Sequence, residues 1–238
     1  MTRLITTALA VMITLVGCDA VPGRPKPDAR ELAPSEVMVF ETLYARNCAG
    51  CHGQTGRLGP ARALNDPVYL AVVPPERLRQ VIAVGVPGTA QPAFALSAGG
   101  PLTDQQIEVL VRGMEERWRR PDALAGQEIP PYDGGRGAGR EPGNADRGRG
   151  VFARACASCH GDDGRGGLRG VGIVDPSYLA LVSDQHLRTT VIAGRADLGM
   201  PDWRGQIPGR ALSPADVSNV VAWLVTKRTP VPGRPGGS

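Results

Sequence analysis

Aromatic side chains are scarce in this chain: three Trp, four Tyr and three Phe among 238 residues, or 4%. A core filled mainly by large flat side chains is excluded, although a core completed by something other than side chains is not. Cysteine and histidine are also few, five and three, so each can be considered individually. With 42% apolar and 21% charged residues, neither a polytopic membrane protein nor a wholly disordered chain is expected. What is abundant is turn chemistry, 32 Gly and 22 Pro, and the length allows one domain or two.

The N-terminus accounts for one cysteine. Residues 1–17 carry a single charge, Arg3, followed by an apolar run from Leu4 to Val16. That run is too short to span a bilayer comfortably and has the shape of a secretory signal. It ends Leu15-Val16-Gly17-Cys18, which resembles a bacterial lipobox and implies cleavage before Cys18 and acylation of that residue. Acyl chains contribute about 0.8 kcal/mol per buried CH₂, so Cys18 is expected to hold the protein on a membrane surface. The resemblance places the protein on the periplasmic side of a bacterial membrane, and Asp19 directly after the cysteine favours the inner membrane. Residues 18–33 form a tether in which Pro22, Pro25 and Pro27 favour a semi-rigid, extended course.

The other four cysteines belong to a repeat. Cys48-Ala-Gly-Cys51-His52 and Cys156-Ala-Ser-Cys159-His160 are two copies of C-x-x-C-H, and DPVYLAVV (66–73) matches DPSYLALV (175–182) at six of eight positions. Leu78-Arg79 then matches Leu187-Arg188, Val81-Ile82-Ala83 matches Val191-Ile192-Ala193, and Leu102-Thr103 matches Leu212-Ser213. Two domains of roughly 85 residues are expected, spanning 34–120 and 144–229. Between them 121–143, with PPYDGGRGAGREPG at its centre, is expected to be a linker too rich in Gly and Pro to pack. Residues 230–238 are expected to be a flexible tail.

In C-x-x-C-H two thiols can add across the vinyl groups of a haem, fixing the adjacent His beneath the iron as an axial ligand. Other readings fit less well. Each copy supplies at most three zinc ligands where four are needed. A thioredoxin-type pair belongs beside a strand in a βαβ unit, which the flanks do not suggest. A disulfide between residues three apart would leave the His unexplained. Export to the periplasm also matches where bacteria attach haem. Cys48, Cys51, Cys156 and Cys159 are thus the expected attachment points of two covalent haems, and His52 and His160 the expected iron ligands.

On these residues both repeats resemble class I cytochrome c domains. The resemblance implies an all-α fold of two tandem small helical bundles, each wrapped around one haem between a first helix and a crossing last helix. Ser35 to Asn47 sets Val37, Phe40 and Tyr44 at helical spacing, giving a first helix. Thr103-Asp-Gln-Gln106 and Ser213-Pro-Ala-Asp216 read as capping boxes opening final helices that run to about Arg120 and Lys227. Where family members cross a small residue with an aromatic, this chain offers Gly148 with Trp223 and, in exchanged order, Gly113 with Phe40.

The resemblance further implies a Met thioether opposite each axial His. Met200, in Leu198-Gly199-Met200-Pro201, fills that role in the second domain, where a soft thioether raises the reduction potential. The first domain has Gln91, in Thr89-Ala90-Gln91-Pro92-Ala93-Phe94. Three outcomes are open there: ligation by the Gln91 amide, ligation by another residue, or a five-coordinate iron. Met38 and Met114 sit on helices and are better read as packing residues than ligands. His186, outside both motifs, is read as a solvated or supporting histidine at a helix start. The proximal His commonly donates to a Pro carbonyl, for which Pro60 suits His52; a carbonyl near Gly167 or Leu168 is expected to serve His160.

The formal charge of +4 includes Arg3 and omits four haem propionates, so the basic balance gives no reason to expect nucleic acid. The arginines around the linker are read as a solvated basic stretch. The resemblance implies an electron carrier with redox-protein partners, no small-molecule substrate and no bond chemistry of its own, tethered alone or as a subunit of a larger respiratory complex. The alternative is a first haem left open by Gln91 to a gas or peroxide and fed by the second haem.

Overall fold

The computed structural model describes residues 31–133 and 142–229. The signal, Cys18, Asp19, most of the tether and the tail lie outside the described residues. The described residues fall into two units that divide between Val37 and Met38. In the first, a 3-10 turn at Pro34–Glu36 is closed by the Glu36 carboxylate, which accepts from the Ala33 N–H at 2.8 Å.

The second unit contains both C-x-x-C-H repeats, and its regular structure among the described residues is helical, with isolated β-bridges and no strand. The first repeat gives α1 (Phe40–Asn47), α2 (Ala49–His52), α3 (Pro67–Val72), α4 (Pro75–Val84) and α5 (Asp104–Trp118). The second gives the same series: α6 (Ala145–Ala155), α7 (Ala157–His160), α8 (Pro176–Leu181), α9 (Asp184–Ala193) and α10 (Pro214–Val225). The all-α tandem architecture is as the sequence implies. α1 begins later than its apolar spacing predicts: Val39 is extended at φ −94°, ψ 120° and serves as N-cap, in keeping with the reluctance of β-branched residues to enter a helix.

Local rules explain the repeated motifs. Asp66 and Asp175 are N-caps, each accepting from two backbone N–H groups, Val68 and Tyr69 in one case and Ser177 and Tyr178 in the other. The following Pro occupies the first helical position, where no donor is missed. Both final helices open on capping boxes, Thr103 with Gln106 and Ser213 with Asp216.

The first and last helices of each repeat cross at a glycine. A Cβ on Gly113 would lie 2.2 Å from Phe40 Cδ2; one on Gly148 would lie 2.0 Å from the Asn219 carbonyl oxygen and 2.9 Å from Trp223 Cβ. Phe152 then lies against Trp223 with ring centroids 4.3 Å apart. In the first repeat Phe40, Tyr44 and Trp118 form the corresponding aromatic cluster.

The expected linker needs correction in its first half. Leu124 is 7% exposed and Pro130 fully buried, and Leu124 belongs to the same apolar core as Phe152, Leu179 and Trp203. Buried Arg188 explains this: its Nε and Nη2 donate to the Pro131 carbonyl, Nε also to that of Tyr132, and Nη1 to Ser218 Oγ. A guanidinium that ties down two carbonyls makes a strap of a proline-rich segment that supplies few donors itself. Residues 134–141 lie outside the described set. Val72, from α3, joins the core of the second repeat, so the two repeats share buried surface.

Candidate haem sites

Each C-x-x-C-H motif forms one tight helical turn after the first helix of its repeat. Cys48 is N-cap of α2, its own N–H bonded to the Tyr44 carbonyl at 2.8 Å, while its carbonyl accepts from Cys51 and His52 N–H at 3.2 and 2.9 Å. Cys156 stands likewise before Cys159 and His160. The i, i+3 spacing sets both thiols of a pair on one side of the turn. All four are free cysteines. Burial pushes the Cys48 and Cys156 thiols up to about 12, opposite to the depressed thiol of a redox-active C-x-x-C pair.

His52 Nδ1 meets the Arg62 carbonyl at 2.6 Å, and His160 Nδ1 meets that of Val171 at 2.8 Å. These bonds assign the ring proton to Nδ1 and leave Nε2 as the nitrogen with a free lone pair. The carbonyl partner is therefore not that of Pro60, and in the second repeat it is not that of Gly167 or Leu168. The chain turns so tightly at Gly59, where a Cβ would fall 2.3 Å from the Cys51 carbonyl oxygen, that Ala61 N–H bonds back to that oxygen at 2.9 Å. The next carbonyl, that of Arg62, then meets the histidine. Burial lowers the His52 pKa, while the Arg62 carbonyl works in the opposite direction.

The loops carrying Gln91 and Met200 share one backbone frame. Gly85 and Gly194, at φ +67° and +68°, end α4 and α9 and press against Gln91-Pro92 and Met200-Pro201 respectively. The next N–H bonds to the loop: Val86 to the Gln91 carbonyl at 3.0 Å, Arg195 to the Met200 carbonyl at 2.9 Å. Further on, Phe94 N–H meets the Ile82 carbonyl and Trp203 N–H that of Ile192, at 3.0 and 2.9 Å; Leu102 and Leu212 bond back to Phe94 and Trp203. Gln91 thus holds the Met200 position of the frame; its side-chain amide donates to the Pro92 carbonyl at 3.3 Å, close enough to His52 to influence its titration. Met114 is buried within α5 and Met38 is 40% exposed. Val171 and Met200 each line an open cleft, one formed by 165–172 and the other shared with Ala196, Pro201 and Arg204.

Charged residues join the repeats beside these loops. Arg62 Nη1 donates to the Gly194 carbonyl at 2.6 Å, Leu58 N–H to Asp197 Oδ2 at 3.1 Å, and Arg195 Nη2 to the Gly59 carbonyl at 3.4 Å. Arg195 also forms a two-pronged pair with Asp197. Leu58 adopts φ +61°, a strained value for a branched residue, at the point where its amide crosses to the other repeat. His186 is largely buried beside these groups rather than solvated: burial first, then Arg62, Arg195 and His52, push its pKa down to about 4, which leaves the ring neutral near pH 7. Its place at the start of α9 is as the sequence predicts, with its N–H on Ser183 Oγ. Arg62, Arg188 and Arg195 were not legible as functional; the available signal for Arg62 was that the second repeat has no arginine where Val171 supplies the equivalent carbonyl.

The donor set fits a haem: two thiols on one side of a turn, a histidine whose Nδ1 is held by a carbonyl, and a later loop with a further donor, Gln91 or Met200. Among the described residues no three His, Cys, Asp or Glu side chains gather to hold an ion by themselves. A family model described as "Cytochrome C oxidase, cbb3-type, subunit III" matches residues 36–112 and 143–224, one segment per C-x-x-C-H repeat. The chain belongs to this family. It is a tandem class I c-type cytochrome with two covalently bound haems, and its family chemistry is haem electron transfer. The cytochrome is 28% identical over 176 residues to the cbb3-type cytochrome c oxidase subunit FixP of Bradyrhizobium sp. (strain ORS 278), covering 70% of this chain and 54% of that one. It is 29% identical over 196 residues to a thiosulfate dehydrogenase of Stutzerimonas stutzeri (strain A1501), covering 77% and 60%. The cytochrome therefore spans a little over half the length of these relatives. A chain of the Kuenenia stuttgartiensis reducing HAO-like protein complex aligns with TM-score 0.46 and 17% identity over 84% of this chain and 100% of its own.

Proposed function

We propose that this cytochrome is a membrane-anchored carrier that passes single electrons between redox proteins on the periplasmic side, alone or as a subunit of a larger respiratory complex. Cys48 and Cys51 attach the first haem and Cys156 and Cys159 the second, with His52 and His160 as proximal ligands. Met200 ligates the second iron and Gln91 stands at the first; Cys18 carries the lipid, and Asp19 favours the inner membrane. When bound, each haem supplies one-electron exchange at its iron. The chain's residues do the rest: the Arg62 and Val171 carbonyls hold the histidine rings, and Gly85 and Gly194 hold the distal loops. A relative named as a cbb3-type oxidase subunit supports redox-protein partners.

The observation that carries this reading is the common frame of Gln91 and Met200. Two repeats tied together, with a hard amide in one distal position and a soft thioether in the other, make a pair of different potentials, the second higher. Among the described residues no helix is long and apolar enough to cross a membrane; in this reading the anchor is the lipid on Cys18.

A second reading makes the first haem a reactive site fed by the second. It is favoured by Gln91 itself and by the relative named as a thiosulfate dehydrogenase. Ferric EPR and optical spectra of the wild type and Met200→Ala, followed by carbon monoxide added to the reduced proteins, separate the two. The carrier reading expects both haems low-spin, carbon monoxide binding absent in the wild type and present at one haem in Met200→Ala. Binding to the wild-type first haem, or thiosulfate-dependent reduction on mixing, favours the reactive site.

A further inference from the structure

Arg62 is buried at 5% exposure where the two repeats meet, and only one edge of its guanidinium is used. Nη1 donates to the Gly194 carbonyl at 2.6 Å, and the Tyr69 ring covers the group with its centroid 4.8 Å away. Nε and Nη2 have no hydrogen-bond partner, and among the described residues they are the only buried side-chain nitrogens of which that is true. These two donors form the side-on edge of the guanidinium, the pair that grips both oxygens of one carboxylate. Leaving a buried, charged donor pair unused is costly enough that native structures rarely do so.

The neighbouring acids do not fill this edge. Asp66 Oδ1 is committed to the Val68 and Tyr69 amides, and Asp197 to Arg195 and the Leu58 amide. Arg195 adds a second positive charge nearby, and Asp66 and Asp197 act on Arg62 only at a distance, so the Nε/Nη2 edge itself has no anion on it. We propose that the Nε/Nη2 edge of Arg62 seats a haem propionate, so that one side chain binds a haem carboxylate and bolts the two repeats together. Its reach to both haem sites is set by bonds already described. The Arg62 carbonyl holds His52, while Gly194 precedes the Arg195–Met200 backbone pair. The assignment requires haem in the repeats but is independent of the carrier reading, so either can fail alone.

The test uses the complete haem-loaded protein as wild type, Arg62→Gln and Arg62→Lys, followed by spectroelectrochemical titration and by resonance Raman of the propionate bending bands. Removing a positive charge from a propionate favours the ferric iron. In Arg62→Gln one of the two redox waves is therefore expected to move to lower potential by at least tenfold in its reduction equilibrium, or about 59 mV for one electron. Arg62→Lys keeps the charge but not the fork, so its wave is expected to move less while its propionate band still shifts. A role confined to the Gly194 bond leaves that band in place. Unmoved waves and an unmoved band in Arg62→Gln overturn the proposal. If that variant does not fold with both haems, an unmoved band in Arg62→Lys does the same. A wild-type wave that follows added phosphate, with the band insensitive to either substitution, places a free oxyanion on this edge and also overturns it.

Discussion

Gly113 and Phe40 are in such close contact that a single carbon added to the glycine would lie 2.2 Å from Cδ2 of the ring. The second repeat makes the same crossing with the sizes exchanged between helices: Gly148 on α6 lies against α10 at Asn219 and Trp223. Volume at the crossing is kept while the helix that contributes the aromatic changes, a swap that packing tolerates because the sum is conserved.

Substituting either glycine by alanine is therefore expected to destabilise the holoprotein, and unequally. In Gly113→Ala the obstacle is a ring edge that can tilt, and a cost of about 1–3 kcal/mol is expected. In Gly148→Ala the obstacle is backbone, the Asn219 carbonyl oxygen at 2.0 Å, so the helices must separate and the cost should be the larger of the two. Guanidinium unfolding midpoints measure both; equal midpoints for the two variants contradict the argument.

Gln91→Met places a thioether in a frame already shared with Met200. The first haem's reduction equilibrium is expected to rise by roughly tenfold or more, about 59 mV for one electron, bringing the two waves together. Potentiometric titration reads this directly, and a first wave that stays in place argues against Gln91 standing at the iron.

Arg188→Ala removes the donors that hold Pro131 and Tyr132. With hydrogen bonds from a charged group lost, about 2–3 kcal/mol of stability should go, and residues 121–133 should become the first site of cleavage in limited proteolysis. An unchanged cleavage pattern shows that burial of Leu124 and Pro130 suffices to hold the strap.

Asp197 supplies the cleanest pH response at the junction. The Arg195 hydrogen bond leads in lowering its pKa below the ordinary 3.8, aided by the Leu58 amide and opposed by burial. A lowered folded-state pKa stabilises above the unfolded value and is lost as pH falls through the folded one. The stability gap between wild type and Asp197→Asn should thus be constant above about pH 5 and close below 3.8, as measured by thermal melts across that range.

Preventing haem attachment with Cys51→Ala and Cys159→Ala together with His52→Ala and His160→Ala is expected to abolish cooperative unfolding. A chain with ten aromatics split between two small cores has little else to bury. Far-UV circular dichroism and a melting curve decide this; a sharp transition without haem contradicts it.

Much of this molecule is written locally, and local signals were readable. The two C-x-x-C-H turns, the Asp-Pro caps at 66 and 175, and the capping boxes at 103 and 213 each depend on residues within four positions of one another. The crossing glycines were legible because the family resemblance gives where the first and last helices meet relative to the first cysteine of each motif. The carbonyl partner of His52 was not, since a tight turn at Gly59 moves the register by two residues, from Pro60 to Arg62. The strap was missed because glycine and proline content describes how a segment prefers to turn and says nothing about Arg188, more than fifty residues away, that holds it.

The paired C-x-x-C-H motifs, through the family they resemble, implied without coordinates an all-α tandem cytochrome with two covalent haems. Tertiary structure alone decided how its halves are joined. Arg62 and Gly194 are 132 positions apart in the chain, and no local pattern relates them. Only folding brings a buried guanidinium to that carbonyl and leaves its other edge free for an anion.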